Sequence, residues 1–277
     1  VQTCALPIFS LALAQGISQI GFFKTLEWKI YDLEFRTFRN NPNQASRDIV
    51  LVEIDDRSVQ RMAENDIGRF PWPRDTYAVL LNYFSRSNPK AIAMDVLFLE
   101  EDKSSVGSKS GVEADADFSE AVRQSGHLIN GIDVNDTAEV QAAGPVPPPF
   151  RLGSEVEEHS SIKLPYPSLA ASSRSLGHTF MVLDADGPVR RAVPFVRQGN
   201  AIYPSLPIAV AMASLNIPPS EVFMDVEGLH LGPRLIPLFQ VTQDYVQTVT
   251  TRHVLIPYMA PAYRDNRSEE HTSELQS

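Results

Sequence analysis

Apolar and polar positions along this chain switch between two periods, and the switching predicts an α/β fold. Residues 25–39 carry Leu26, Ile30, Leu33 and Phe38 at near-helical spacing with charges between them, the stripe of an amphipathic helix. A turn at Asn40-Asn41-Pro42-Asn43 follows. Residues 49–54 are an aliphatic, β-branched run and predict a strand. Residues 57–64 predict a short helix. Arg74 opens a longer helix reaching about Ser87, with Tyr77, Leu80, Leu81 and Phe84 on one face and Asn88-Pro89 stopping it. Residues 91–98 are almost all apolar, as in a strand covered on both faces. Asp117 and Glu120 have capping-box spacing for a helix ending at Ser125, and residues 127–134 form a third strand. Strand, helix, strand, helix, strand in that order predicts a parallel sheet with right-handed crossovers.

The second half is less regular. Residues 100–116 are acidic and rich in Ser and Gly, and read as a mobile loop. Residues 135–163, which include Gly144-Pro145-Val146-Pro147-Pro148-Pro149, read as a flexible insertion. A short helix is predicted at 167–175. Residues 177–183 and 189–197 flank Asp184-Ala185-Asp186-Gly187, a hairpin signal. A helix at 203–215 and late strands at 229–238 and 254–257 complete the pattern, and there is no internal repeat. The fold class is α/β, a mainly parallel sheet flanked by helices, with an added β-hairpin and an N-terminal helix.

Composition agrees with a folded protein: of 277 residues, 43% are hydrophobic and 21% charged. Both ends change the picture. Residues 267–277 and 1–8 can be encoded by overlapping parts of the two strands of one oligonucleotide, and the first string resembles a library adapter. They are read as adapter-derived scars and set aside, leaving 9–39 as a truncated transmembrane and juxtamembrane helix and 40–266 as the folded domain. The single cysteine, Cys4, lies in the N-terminal scar, so the domain has no disulfide and no thiolate chemistry. The net charge is −10, and removing the one Arg and three Glu of the C-terminal scar leaves −8. An acidic surface with scattered Lys and Arg argues against nucleic-acid binding.

Residues 9–23 are apolar with Gln and Ser interruptions and are too short to span a bilayer, which takes about 20 residues. They are read as the tail of a membrane helix, with Trp28 and Tyr31 suited to the interface; an amphipathic helix or a signal-peptide remnant is the alternative. Lys24, Lys29, Arg36 and Arg39 follow, a pattern usual on the cytoplasmic side, although long domains translocate despite local charge.

The candidate chemistry is carried by acids and by one aromatic loop. Asp55 and Asp56 end a predicted strand, where ligand clefts of open α/β sheets form. Asp95 lies in the next strand and is expected near Asp55. Such a cluster suits a divalent cation, an amine or a sugar. The plainer alternative is that Asp55 or Asp56 caps the following helix while Asp95 pairs with an arginine such as Arg74. Phe70-Pro71-Trp72-Pro73-Arg74 sets a stiff loop and a flat indole face at a helix start, where Arg74 opposes the dipole and calls for an acid. Asp184-Ala185-Asp186-Gly187 lacks the later acceptors of a calcium loop, so it reads as a hairpin turn that sends Arg190 and Arg191 to opposite faces of a strand. The histidines show no metal-ligand spacing. No Walker loop, dinucleotide fingerprint or nucleophile elbow is present.

The strand ending in Asp55-Asp56, the Phe70–Arg74 run, the strand holding Asp95 and the Asp184–Arg191 segment together resemble the CHASE2 family over roughly residues 31–266. The resemblance implies an extracytoplasmic sensor domain of a membrane-bound receptor, not an enzyme, with a cyclase or kinase output elsewhere. It implies no cofactor, an unknown small-molecule or peptide ligand, a homodimer anchored through the N-terminal helix, and no nucleic acid. Asp55, Asp56, Trp72, Arg74, Asp95, Asp186 and Arg190 match the family's recurring positions and are the expected ligand-binding residues. A metal-dependent hydrolase built on Asp55, Asp56 and Asp95, and a purely dimerising module, are the rival expectations.

Overall fold

The computed structural model describes residues 21–38, 48–65, 67–68, 70–102, 110–135, 150, 152–153, 155–184, 186–244 and 248–256. They divide between two compact units, Val1–Glu53 with Leu183–Pro188 and Ile256–Ser277, and Ile54–Val182 with Val189–Leu255.

In the first unit the expected amphipathic helix is present as α1 (Gly21–Phe38). Among the described residues no helix is long and apolar enough to cross a membrane; residues 9–20 of the expected membrane segment lie outside them. Asp184, Gly187 and Pro188 close the expected turn. Asp184 N donates to Pro188 O at 2.9 Å, Gly187 N donates to Asp184 O at 2.8 Å, and Gly187 takes a φ of +100° that favours glycine.

The second unit holds, in chain order, α2 (Asp56–Glu64), α3 (Arg74–Ser85), β1 (Ile92–Met94), α4 (Gly111–Ser125), β2 (Leu128–Asn135), β3 (Glu157–Glu158), β4 (Ser161–Lys163), α5 (Pro167–Ser172), β5 (Ser175–His178), β6 (Arg191–Ala192), β7 (Phe195–Gln198), β8 (Ala201–Pro204), α6 (Leu206–Leu215), β9 (Val222–Met224), β10 (Leu229–Leu231), β11 (Arg234–Ile236), β12 (Phe239–Asp244) and β13 (Thr248–Leu255). The protein is thus mixed α/β around a parallel core. β2 is flanked in parallel by β1 and β5, with Ile129 opposite both Ala93 and Ser175, and β4 joins its far half antiparallel. Small sheets β3-β7-β8, β9-β10-β11 and β12-β13-β6, mostly antiparallel, complete the unit.

The main core lies between α3, α4, α5 and β2. Leu81, Phe98, Phe118, Val122, Leu128 and Leu169 are fully buried, and Val59 and Met62 of α2 pack onto them. Burying each such side chain contributes about 1.5–3 kcal/mol. The rings of Tyr77, Phe98 and Phe118 meet edge-on or tilted, with centroids 4.9–6.1 Å apart. A second core gathers Val156, Phe195, Ile202, Met212, Val222 and Leu229.

The structure corrects several expectations. Residues 49–54 are not a strand, and Ile49, Val50, Leu51, Val52 and Ile54 are 40–68% exposed. A β-branched run states a preference for a pleated surface but supplies no partner ladder. The strand at 91–98 shortens to three residues for the same reason. α4 begins not at Asp117 but at Ser110, which forms the full capping box with Glu113. Two box spacings compete here, and the earlier one places Ala114, Phe118, Ala121 and Val122 on one buried face. The expected loop therefore ends at Ser110. The flexible insertion contains β3 and β4, while residues 136–149 lie outside the described residues. Residues 201–204 are a strand because the two-residue turn at Gly199, φ +57°, folds them onto β7. A like turn at Gly232 splits 229–238 into β10 and β11. The hairpin around residue 185 has one antiparallel bridge, Met181 to Ala192, while β5 pairs with β2.

Candidate functional site

The loop before α3 builds the site. Pro73 occupies the N-cap position of α3 in extended geometry, φ −55° and ψ 149°. Trp72 beside it is buried, its ring 5.7 Å from Phe70 and 6.1 Å from Tyr77. This anchors the first residue of the helix, Arg74, over the core. Its guanidinium carbon sits 4.6 Å from the centroid of the Phe98 ring, and its Nη2 donates to the Glu100 carbonyl at 3.2 Å. Its Nε lies 3.4 Å from Asp115 Oδ1, with side-chain exposures of 13% and 6%. The acid that Arg74 calls for is therefore Asp115 of α4, not Asp95.

Asp115 accepts a second contact, from the Asp102 backbone N–H to Oδ2 at 2.7 Å. Burial pushes its carboxyl above the ordinary range, opposed by the Asp102 hydrogen bond and the Arg74 charge. Its Oδ1 and the Arg74 Nε have no hydrogen-bond partner among the described residues, although the two charges attract. Behind it, Tyr166 donates to the Asp115 carbonyl at 3.2 Å and accepts from Ser119 at 3.4 Å, and Ser119, its proton so engaged, accepts from Ser168 at 3.2 Å. Burial drives the Tyr166 phenol well above its usual range, so it stays a neutral donor.

A groove of about 330 Å³ opens on this network, lined by Glu101, Val112, Asp115, Ala116, Ser119, Glu120, Ser168 and Ser172. Hydroxyls and carboxylates interrupt an otherwise small and apolar wall. Glu120 is held by Arg123 and Gln124. Such a wall suits a small ligand offering hydroxyl or amine donors.

The sequence-selected residues separate. Trp72 and Arg74 belong to this site. Asp55 caps α2, accepting from Ser58 N at 2.7 Å and Ser58 Oγ at 2.5 Å, and these bonds hold its carboxyl below the usual range. The capping alternative is thus what Asp55 does. Asp56 begins that helix and is exposed, and Asp95 is exposed just past β1. Among the described residues no group of three or more His, Cys, Asp or Glu could hold a metal ion. Asp186 is exposed in its turn and Arg190 is buried. Sequence reasoning missed Asp115. The available signal was an acid on the same helical face as Phe118 and Val122, interrupting an apolar stripe.

A family model described as CHASE2 domain matches residues 6–269, so this chain belongs to that family of sensory, non-catalytic domains of signalling proteins. No curated protein and no solved structure matches the chain.

Proposed function

We propose that this CHASE2 domain is the extracytoplasmic input stage of a membrane-bound receptor, acts as a homodimer, and receives a small-molecule or peptide ligand in the groove at Asp115. The observation that carries the reading is Asp115 in the groove wall, a buried acid that faces Arg74 behind it. A carboxylate withdrawn from water is costly unless its lone pairs are filled, and among the described residues Asp115 Oδ1 has the Arg74 Nε at 3.4 Å and no hydrogen-bond partner. A ligand N–H or O–H completes that shell. Trp72 acts as a positioning residue by anchoring the loop that aims Arg74. The ligand shifts the population of domain arrangements, by no more than its differential affinity for them, and the flanking helices pass the shift to a cyclase or kinase output.

Thermal unfolding across amines, sugars, peptides and metal ions tests this. A binder present at 100 times its Kd adds about 2.7 kcal/mol, roughly 5–10 °C for a domain of this size. Asp115→Asn should remove that shift and Asp95→Asn should retain it. No shift with any probe, together with concentration-dependent association, replaces the reading with a dimerising module. Turnover lost in Asp55→Asn replaces it with a hydrolase.

A further inference from the structure

A second buried polar cluster shares no residue with the groove lining. Glu157 of β3 and His159, two residues on, share one face of the chain, as do Thr251 and His253 of β13. The two faces meet. His159 Nε2 is 3.6 Å from Glu157 Oε1 and His253 Nε2 is 3.4 Å from Glu157 Oε2, with side-chain exposures of 3%, 0% and 13% for the two histidines and the glutamate. Thr251 Oγ1 lies 3.0 Å from the same His253 nitrogen. One carboxylate therefore faces two imidazoles, one at each oxygen, and Glu157 Oε2 has no hydrogen-bond partner among the described residues.

Arg252, between Thr251 and His253 in β13, and Arg197, whose carbonyl accepts from His159 N, have partners of their own. Arg252 contacts Glu155 at 3.3 Å and donates to the Asp225 carbonyl, and Arg197 donates its side chain to Gly153 O at 2.9 Å. His178 also lies beside His159. Burial, and then the charge of His159, hold it down to about 3, so it stays neutral. No group of three or more ligating side chains among the described residues could hold a metal ion, which leaves the proton as the ligand these distances suit.

We propose that Glu157, His159 and His253 form a proton-binding site through which acidification clamps β13 to β3. A proton from solvent adds to Nε2 of one imidazole, which then donates a charge-assisted N–H bond to the Glu157 carboxylate. Such bonds close to about 2.7–2.9 Å, shorter than either present gap, and release of the proton to solvent reopens the gap. Imidazole is the side chain whose ordinary titration falls between about pH 5 and 8. The proton site and the groove use different residues, so either can fail without the other.

Thermal unfolding of the whole chain from about pH 8 to 5.5 tests it. The melting temperature of the wild type relative to Glu157→Gln should rise on acidification, by roughly 3 °C per pH unit for one linked proton in a domain of this size. Parallel profiles overturn the proposal, as does a wild-type response abolished by EDTA, which would hand the site to a bound cation. Should Glu157→Gln fail to fold, NMR of the wild-type imidazoles decides. Protonation of His159 or His253 over that range supports the site, and two rings that stay neutral overturn it.

Discussion

Replacing His178 with leucine should make this protein more resistant to acid. His178 ends β5, is 1% exposed, and neither ring nitrogen has a hydrogen-bond partner among the described residues. Burial, followed by the charge of His159, lowers its pKa from 6.5 to about 3. A histidine lowered in this way binds its proton more readily in the unfolded chain. The stability that its neutral form contributes is complete above pH 6.5 and is lost as pH falls toward 3. Each pH unit inside that window costs about 1.4 kcal/mol, so acidification from pH 6.5 to 4.5 removes about 3 kcal/mol. His178→Leu deletes this loss. At pH 8 it should be neutral or mildly stabilising, because an apolar side chain of similar size replaces two unsatisfied polar atoms. At pH 4.5 the variant should gain about 3 kcal/mol on the wild type beyond their difference at pH 8, or roughly 5–10 °C in melting temperature. Urea unfolding followed by circular dichroism at several pH values from 8 to 4.5 measures both slopes. Identical slopes would refute the reasoning, because a buried neutral histidine cannot titrate alike in both states. Glu157→Gln should alter the profile in the opposite sense, so the two variants separate opposing proton linkages that the wild type sums.

Two further substitutions probe the groove and the sheet. Arg74→Met keeps the apolar stem over Phe98 but leaves the Asp115 carboxylate buried without its cation, and should cost about 3 kcal/mol in urea unfolding. Asp115→Asn, which keeps the shape and removes the charge, should cost less. Gly177→Ala would place a methyl 2.6 Å from Leu206 Cα and 2.9 Å from Leu206 N, backbone atoms that cannot swing aside. α6 must then lift from β5, a loss of about 3 kcal/mol visible as a lower melting temperature at every pH.

The site was half legible. Arg74 at a helix start announces its need for an acid, and Trp72 between two prolines announces a fixed loop. Asp115 announces itself only as an acid in an apolar stripe, and which of the chain's many carboxylates meets Arg74 depends on how α3 and α4 pack. Asp55 shows the converse: a strand-end acid and a helix cap look alike until the Ser58 bonds are seen. The histidines behave the same way. Their spacing along the chain follows no ligand pattern, yet β3 and β13 bring two of them to one carboxylate.

Local rules were enough for α1, α2, α3 and β2, and for the parallel pairing of β1 with β2, because helical stripes, prolines and continuous apolar runs act over neighbouring residues. The family also followed from short motifs. The starting point of α4, the failure of residues 49–54 to become a strand, the antiparallel ladders of the second half, the partner of Arg74 and the burial of three histidines were decided by the tertiary structure. Each depends on contacts between distant segments, and a contact energy has no value until packing has chosen which side chains meet and how much water remains between them.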